Sequence, residues 1–178
     1  MTNPKILTAC YLINNSWLNC ISKCLLLGFM LIPGISAAEQ SAFIESKAIS
    51  ELWLNPGFYS QHFQRDKGHN NRNFGVGGEY RYSTVSSVTL GIFDNSDRLT
   101  SHYAGWYWQP VRVGPIRLGA VVGVIDGYPK MLDGGWFAAV IPSASLEFQN
   151  IGVNLLFIPS YKDRLYGALS FQFKLKLH

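Results

Sequence analysis

Two different spacings of hydrophobic and polar residues run along this chain, and the change between them falls near Gly57. Ahead of it, Ala42 to Leu54 (AFIESKAISELWL) sets Phe43, Ile44, Ile49, Leu52 and Trp53 toward one side of a helix, with Glu45, Ser46, Lys47 and Glu51 between them. Asn55-Pro56-Gly57 would stop that helix. The spacing predicts a short amphipathic helix within residues 39–56, suited equally to a membrane surface or to packing on its own domain. Beyond Gly57 the period becomes two. Leu169, Phe171, Phe173, Leu175 and Leu177 fall on one face and Ser170, Gln172, Lys174 and Lys176 on the other, which is the signature of a strand with one apolar and one polar side. Phe74, Val76, Tyr80 and Tyr82 against Glu79 and Arg81 repeat it, and Val88, Leu90 and Ile92 alternate with Thr89 and Gly91. Further segments of this kind are Gly57 to Arg65, Ser101 to Gln109, Arg117 to Ile125, Phe137 to Phe148 and Ile151 to Tyr161, separated by turn residues such as Pro110, Gly114-Pro115, Asn150 and Asp163. That makes eight strands, so the fold expected over residues 57–178 is an all-β, eight-stranded antiparallel transmembrane β-barrel preceded by the helix.

Composition bears on which solvent the apolar face meets. Of 178 residues 48% are hydrophobic and only 15% charged, against about 25% charged in ordinary soluble domains. The apolar content is nonetheless dispersed, and the longest apolar stretch, Cys24 to Ala38, is interrupted by Pro33-Gly34, short of the roughly 18 to 20 residues a spanning helix needs. A polytopic helical membrane protein is excluded. The stretch reads instead as a secretory leader over residues 1–38: Lys5 and Lys23 are its only charges, an apolar run follows Lys23, and Ser36-Ala37-Ala38 supplies small residues for cleavage before Glu39. Cys10, Cys20 and Cys24 all lie in that leader, so the mature chain is expected to carry no thiol, disulfide or cysteine metal site. Cys24 precedes the apolar core, which does not fit a lipoprotein acylation site.

Removing Lys5 and Lys23 lowers the formal net charge from +4 by two, so the sequence pI near 9.0 overstates the basicity of the mature part. Its basic residues are scattered, and no nucleic-acid partner is expected. A soluble lipocalin-like barrel would show the same alternation with its faces exchanged. Three features favour lipid outside: the leader, the low charge of the strands, and aromatics at strand ends (Tyr59, Tyr82, Tyr103, Trp106, Trp108, Trp136, Tyr161) where an interfacial girdle would sit. The expected location is therefore the outer membrane.

The order of features resembles the lipid A palmitoyltransferases, outer-membrane enzymes with an N-terminal amphipathic helix and an eight-stranded barrel. Trp53 with Pro56 resembles their helix exit. His62, then Asn70-Asn71-Arg72-Asn73 and Gly75, Gly77 and Gly78, is similar to their His, Tyr-Asn-Glu-Arg and Gly-rich strand. Phe93-Asp94-Asn95-Ser96 and Ala104-Gly105-Trp106 resemble their Phe-x-Asp-Ser and Ala-Gly-Tyr segments; Leu118-Gly119, Val124, Ile141-Pro142, Phe157-Ile158-Pro159 and Phe171-Gln172-Phe173 resemble later strands. The resemblance covers most of the chain after the leader. It implies a phospholipid acyl donor, lipid A or lipopolysaccharide as acceptor, no cofactor, and a monomer. It also implies a site of His62, Asn95 and Ser96 where the family has His, Asp and Ser. An amide at 95 can neither act as a base nor hold an imidazolium by charge, so either Asp94 or Asp97 substitutes through loop geometry, or the chemistry is altered or absent.

Acyl transfer needs an activated oxygen nucleophile, a proton acceptor and donors for the oxyanion. Ser96 suits the first role, His62 the second, and Asp94 the orienting of His62. Asp94-Asn95-Ser96-Asp97 is also a sequence that makes an ordinary Asx-rich turn. His102, next to Ser101, is the stronger rival to His62, and His69 lies in a polar loop where it would merely be solvated. Gly75-Val76-Gly77-Gly78 precedes no helix and is no dinucleotide fingerprint. The four histidines show no metal-ligand spacing. Small residues on strand faces (Gly75, Gly77, Gly91, Gly105, Gly119, Gly123) would leave an apolar slot for an acyl chain. Two other functions fit the same strands: a non-enzymatic barrel that stabilises the membrane or binds a surface partner, and a deacylase using Ser96 and His62 with water as acceptor.

Overall fold

The computed structural model describes residues 42–178 apart from Asp163, so the proposed leader lies outside the described residues. Its strands are β1 (Ala42–Phe43), β2 (Ala48–His62), β3 (Arg72–Ser83), β4 (Ser86–Asp94), β5 (Thr100–Val113), β6 (Ile116–Ile125), β7 (Phe137–Phe148), β8 (Ile151–Ile158) and β9 (Ala168–Lys176). From β2 to β9 each strand pairs antiparallel with its sequence neighbours, and β9 pairs back onto β2, closing an eight-stranded barrel. Closure removes the sheet edges except where β7 outruns β8. The segments read from period two fall on these eight strands, with Gly57 to Arg65 and Ile151 to Tyr161 running past the ends of β2 and β8, and Phe137–Phe148 coincides with β7.

The expected helix is absent. Residues 48–62 are strand, and β1 is a two-residue pairing of Ala42 and Phe43 with Arg112 and Val111. Apolar residues at Ile49, Leu52 and Trp53 fit helical spacing, yet the same stretch alternates: Glu51, Trp53 and Asn55 point inward while Leu52 and Leu54 face out. The alternation prevails because Glu51, which a helix would have left in water, finds Arg81 at 3.0 Å and Lys176 at 2.6 Å inside the barrel. Pro56-Gly57 ends nothing but makes a bulge, at which the pairing with β3 and β9 shifts register. Gly57 has φ of 114°, a conformation that side chains avoid, and a Cβ there would strike the Asn73 carbonyl.

The barrel is turned inside out relative to a soluble protein. Phe74, Val76, Leu90, Val140, Phe148, Phe173 and Leu175 are exposed on its outer wall, whereas Glu79, Arg81, Gln172 and Lys174 are buried within. In β9 the inward residues are Gln172 and Lys174 and the outward ones Phe173 and Leu175, with Phe171 half-buried on the same side, as the alternation requires. Among the expected girdle aromatics, Tyr103 departs, because its parity in β5 turns it inward with Ser101, Gly105 and Tyr107.

The half of the lumen nearest the chain ends is filled by charge. The Glu147 carboxylate accepts hydrogen bonds from both nitrogens of the Arg81 fork, from Arg117 at 2.8 and 2.7 Å, and lies 2.6 Å from Lys174 Nζ. Glu79 accepts from Lys174, Ser87 and Asn154. The indole of Trp53 lies 4.7 Å from Lys174 Nζ and 5.1 Å from that of Lys176. Each buried charge thus has a partner of opposite sign, the condition under which burial is tolerable. Above this layer Gln109, Ser143, Ser145, Asn154, Gln172 and Tyr107 form a neutral hydrogen-bonded floor. Replacing Glu147 by Leu leaves Arg117 without its carboxylate and takes one carboxylate each from Arg81 and Lys174, which keep Glu51 and Glu79. A loss of about 3 to 5 kcal/mol is expected in the denaturant unfolding of refolded protein in detergent micelles. Stability within about 1 kcal/mol of the parent would show that the network carries little of the fold.

Candidate functional site

Turns at the two ends of the barrel differ in length. Those linking β3–β4, β5–β6 and β7–β8 are two residues each, whereas the connections 63–71, 95–99, 126–136 and 159–167 at the opposite end are longer. His62 closes β2 and Ser96 follows β4, so both emerge at the long-loop end. They meet: His62 Nε2 lies 2.8 Å from Ser96 Oγ. The other ring nitrogen, Nδ1, lies 2.7 Å from Asn71 Oδ1. One tautomer satisfies both contacts, with Nδ1–H donating to the amide oxygen and Nε2 accepting from the serine hydroxyl. The result is a hydrogen-bonded Ser96–His62–Asn71 relay, in which the imidazole is placed to take the serine proton.

Asp94 is not the orienter. Along β4 the inward residues are Ser87, Thr89, Gly91 and Phe93, so parity aims Asp94 out of the barrel and Asn95 in. Among the described residues the Asp94 carboxylate makes no hydrogen bond, and only its backbone oxygen is used, by Asn73 Nδ2 at 2.8 Å. Asp97 does not reach His62 either; its carboxylate approaches His69 Nδ1 at 4.0 Å. Asn95, fully buried, shapes the turn. Its Oδ1 accepts the N–H groups of Asp97 and Leu99, and its Nδ2 donates to Ser101 Oγ and the Gly127 carbonyl. The Asx-turn reading of this segment therefore applies to Asn95, while Ser96 beside it faces His62.

The remaining histidines divide clearly. His102 faces outward from β5 and is held by Asp126, with Nδ1 3.1 Å from Oδ2, which removes it as a rival base. His69 is not a solvated loop residue. Its ring stacks on His62 at 4.9 Å and on Tyr166 at 4.4 Å, and its Nε2 is buried without a hydrogen-bond partner among the described residues. Burial, reinforced by the neighbouring His62, lowers its pKa below the usual 6.5, so it stays neutral beside the base.

Below the relay a narrow pocket of about 120 Å³ opens into the barrel. Its walls are apolar, with Phe58, Phe93, Val121, Ile141 and Leu156 prominent, and Tyr107 stands at its base. Of the six glycines expected to line a slot, only Gly105 and Gly123 do so. The Tyr103 hydroxyl fills the space over Gly77 and Gly91, and Gly75 and Gly119 lie tight against neighbouring backbone. The wall itself is unzipped at one place: β7–β8 pairing ends at Ser143 with Leu156, leaving Phe137–Pro142 paired only to β6. Ala139 and Ile141 on one side of this gap and Leu156 and Ile158 on the other line the pocket.

Sequence reasoning passed over three residues here. Asn71 sits in a run of asparagines, His69 in a polar loop, and Tyr128, also lining the pocket, in a loop nine residues before the next strand. Strand register gave no signal for the first, since Asn71 lies opposite Ser60 rather than His62. Among the described residues no cluster of three metal-binding side chains occurs. No family model matches the chain, and no curated protein matches it.

Titration of His69 has a readable consequence. Its folded pKa lies below the unfolded value of 6.5, so protonation favours the unfolded chain: the contribution of neutral His69 is whole above about pH 6.5 and is lost as pH falls through the folded value. The denaturant midpoint is expected to be lower at about pH 5 than at about pH 7.5, and His69→Phe should narrow that difference. An unchanged pH dependence in His69→Phe would assign the effect to other groups.

Proposed function

We propose that this chain is an outer-membrane acyltransferase that takes an acyl chain from a phospholipid and passes it to lipid A or a related lipid, acting as a monomer. The observation that carries the reading is the Ser96–His62–Asn71 relay at the mouth of a deep apolar pocket. An apolar outer wall, a polar lumen, and short turns at one end against long loops at the other are the features of outer-membrane barrels and support the membrane placement. The motifs shared in order with lipid A palmitoyltransferases support the choice of lipids. Pocket and unpaired β7–β8 stretch lie together, which offers a lateral route for a chain from surrounding lipid.

In this mechanism Ser96 Oγ attacks the ester carbonyl while its proton passes to His62 Nε2. Asn71 Oδ1 holds the imidazole in the required tautomer. The tetrahedral adduct collapses, the glycerol oxygen leaves with the proton from His62, and the acyl chain remains on Ser96. An acceptor hydroxyl then attacks, giving its proton to His62, which returns one to Ser96 as the serine leaves.

Lipid A from cells lacking and expressing the protein, compared by mass spectrometry, tests this. One added acyl chain is expected with the native sequence, and its rate of appearance should fall about a thousandfold or more in His62→Ala and Ser96→Ala, with the folded barrel retained on unheated gels. Loss of a chain would mark a deacylase, and identical lipid profiles in all strains would leave a barrel without this chemistry.

A further inference from the structure

The loop between β6 and β7 brings a phenol to the relay. Tyr128 sets its ring edge-on to Phe137 at 6.0 Å, lines the pocket with Ser96 and His62, and has its hydroxyl beside Ser96. Burial, with Asp97 nearby, pushes its pKa well above the ordinary 10.0, so the hydroxyl remains a donor across the working range of the protein.

Its position is fixed from the nucleophile's own turn. Asn95 Nδ2 donates to the carbonyl of Gly127, the residue before Tyr128, at 2.7 Å, and to Ser101 Oγ at 2.9 Å. Ser101 Oγ in turn donates to the Asp126 carbonyl at 2.6 Å. Gly127 N–H is tied to Gly134 O at 3.0 Å, and the Tyr128 carbonyl accepts from Met131 N–H at 2.9 Å. Meanwhile Asn95 Oδ1 accepts from Asp97 and Leu99, on either side of which the turn bearing Ser96 closes. One buried amide thus binds the Ser96 turn with its oxygen and the Tyr128 loop with its nitrogen. A carboxylate at 95 could accept the two N–H groups but has nothing to donate to the Gly127 carbonyl.

We propose that Tyr128 is a catalytic residue that donates a hydrogen bond to the oxyanion formed when Ser96 attacks the acyl ester, and that Asn95 is the positioning residue that holds it there. This rests on the acyl-transfer reading of Ser96 and His62. In the attack the Oγ–C bond forms, the carbonyl π pair moves to oxygen, and the Ser96 proton goes to His62; Tyr128 keeps its own proton and shares it with the new anion. The anion then returns its pair to carbon as the glycerol oxygen departs with the His62 proton. Donors aimed at charge that exists only in the transition state act on kcat rather than on ground-state binding.

The experiment uses the full chain refolded in detergent micelles with a micellar phospholipid as donor, followed by release of lysophospholipid, and a fluorophosphonate probe that labels an activated serine. Tyr128→Phe is expected to lower kcat about a hundredfold with KM within about twofold, and to slow labelling in parallel, since loss of one oxyanion donor has effects of that size. Asn95→Asp should lower kcat comparably. The double variant should be little worse than Tyr128→Phe alone, because two residues acting through one hydrogen bond are not additive. Retention of kcat within about threefold in Tyr128→Phe, or a rise in KM alone, would overturn the proposal whatever Asn95→Asp does. Turnover and labelling undiminished in Ser96→Ala would instead overturn the acyl-transfer reading, and the role of Tyr128 with it.

Discussion

A single carboxylate, Glu147, determines how the interior of this barrel is used. It answers Arg81, Arg117 and Lys174 at once, and with Glu79 and Glu51 it neutralises the cations that three strands aim inward. Charges taken out of water are tolerable only when so paired, and satisfying them requires that this half of the lumen be full. The neutral layer of Gln109, Asn154 and Gln172 then seals it. The pocket lies above, toward the long loops, where Phe58, Phe93, Val121, Ile141 and Leu156 turn inward among a few small polar residues. Filled below and open above, the barrel has its pocket at the end where Ser96 and His62 emerge.

The same division explains why the outer wall can be apolar from end to end. A soluble barrel gains stability by burying its hydrophobic side chains in the lumen. Here the lumen is held by directional bonds, and Phe74, Val140, Phe148 and Phe173 remain for another medium to cover. An exposed apolar surface of this extent on a water-soluble monomer would be an aggregation liability.

Where the structure could be read from the sequence, a local period was enough. In β9 the two faces are unmistakable, and side-chain direction follows from parity alone. At Ala42 to Leu54 two periods fit the same letters, and the decision belonged to Arg81 and Lys176, far away in sequence, which no local pattern contains. The site shows the same limit. Proximity of His62 and Ser96 follows from counting strands, because both follow strands that run toward the same end. The identity of the third partner does not, since Asn71 comes to His62 through the detailed path of a nine-residue loop. Asp94 was favoured for its chemistry, yet strand parity, itself visible in the sequence, already aimed it outward.

A neutral third partner suits a base set at the mouth of an apolar pocket. A carboxylate there would need desolvation whenever substrate covers it, a cost of several kcal/mol for an isolated ion. An amide oxygen fixes the tautomer of His62 without that cost, and gives up electrostatic stabilisation of the imidazolium in return. His69, stacked on His62 and kept neutral by burial, adds no competing positive charge when His62 accepts a proton. Asn95 stands where the family resembled here has an aspartate, and its donor nitrogen ties the Ser96 turn to Gly127. The amide at 95 thus supplies a donor to the Gly127 carbonyl that a carboxylate could not.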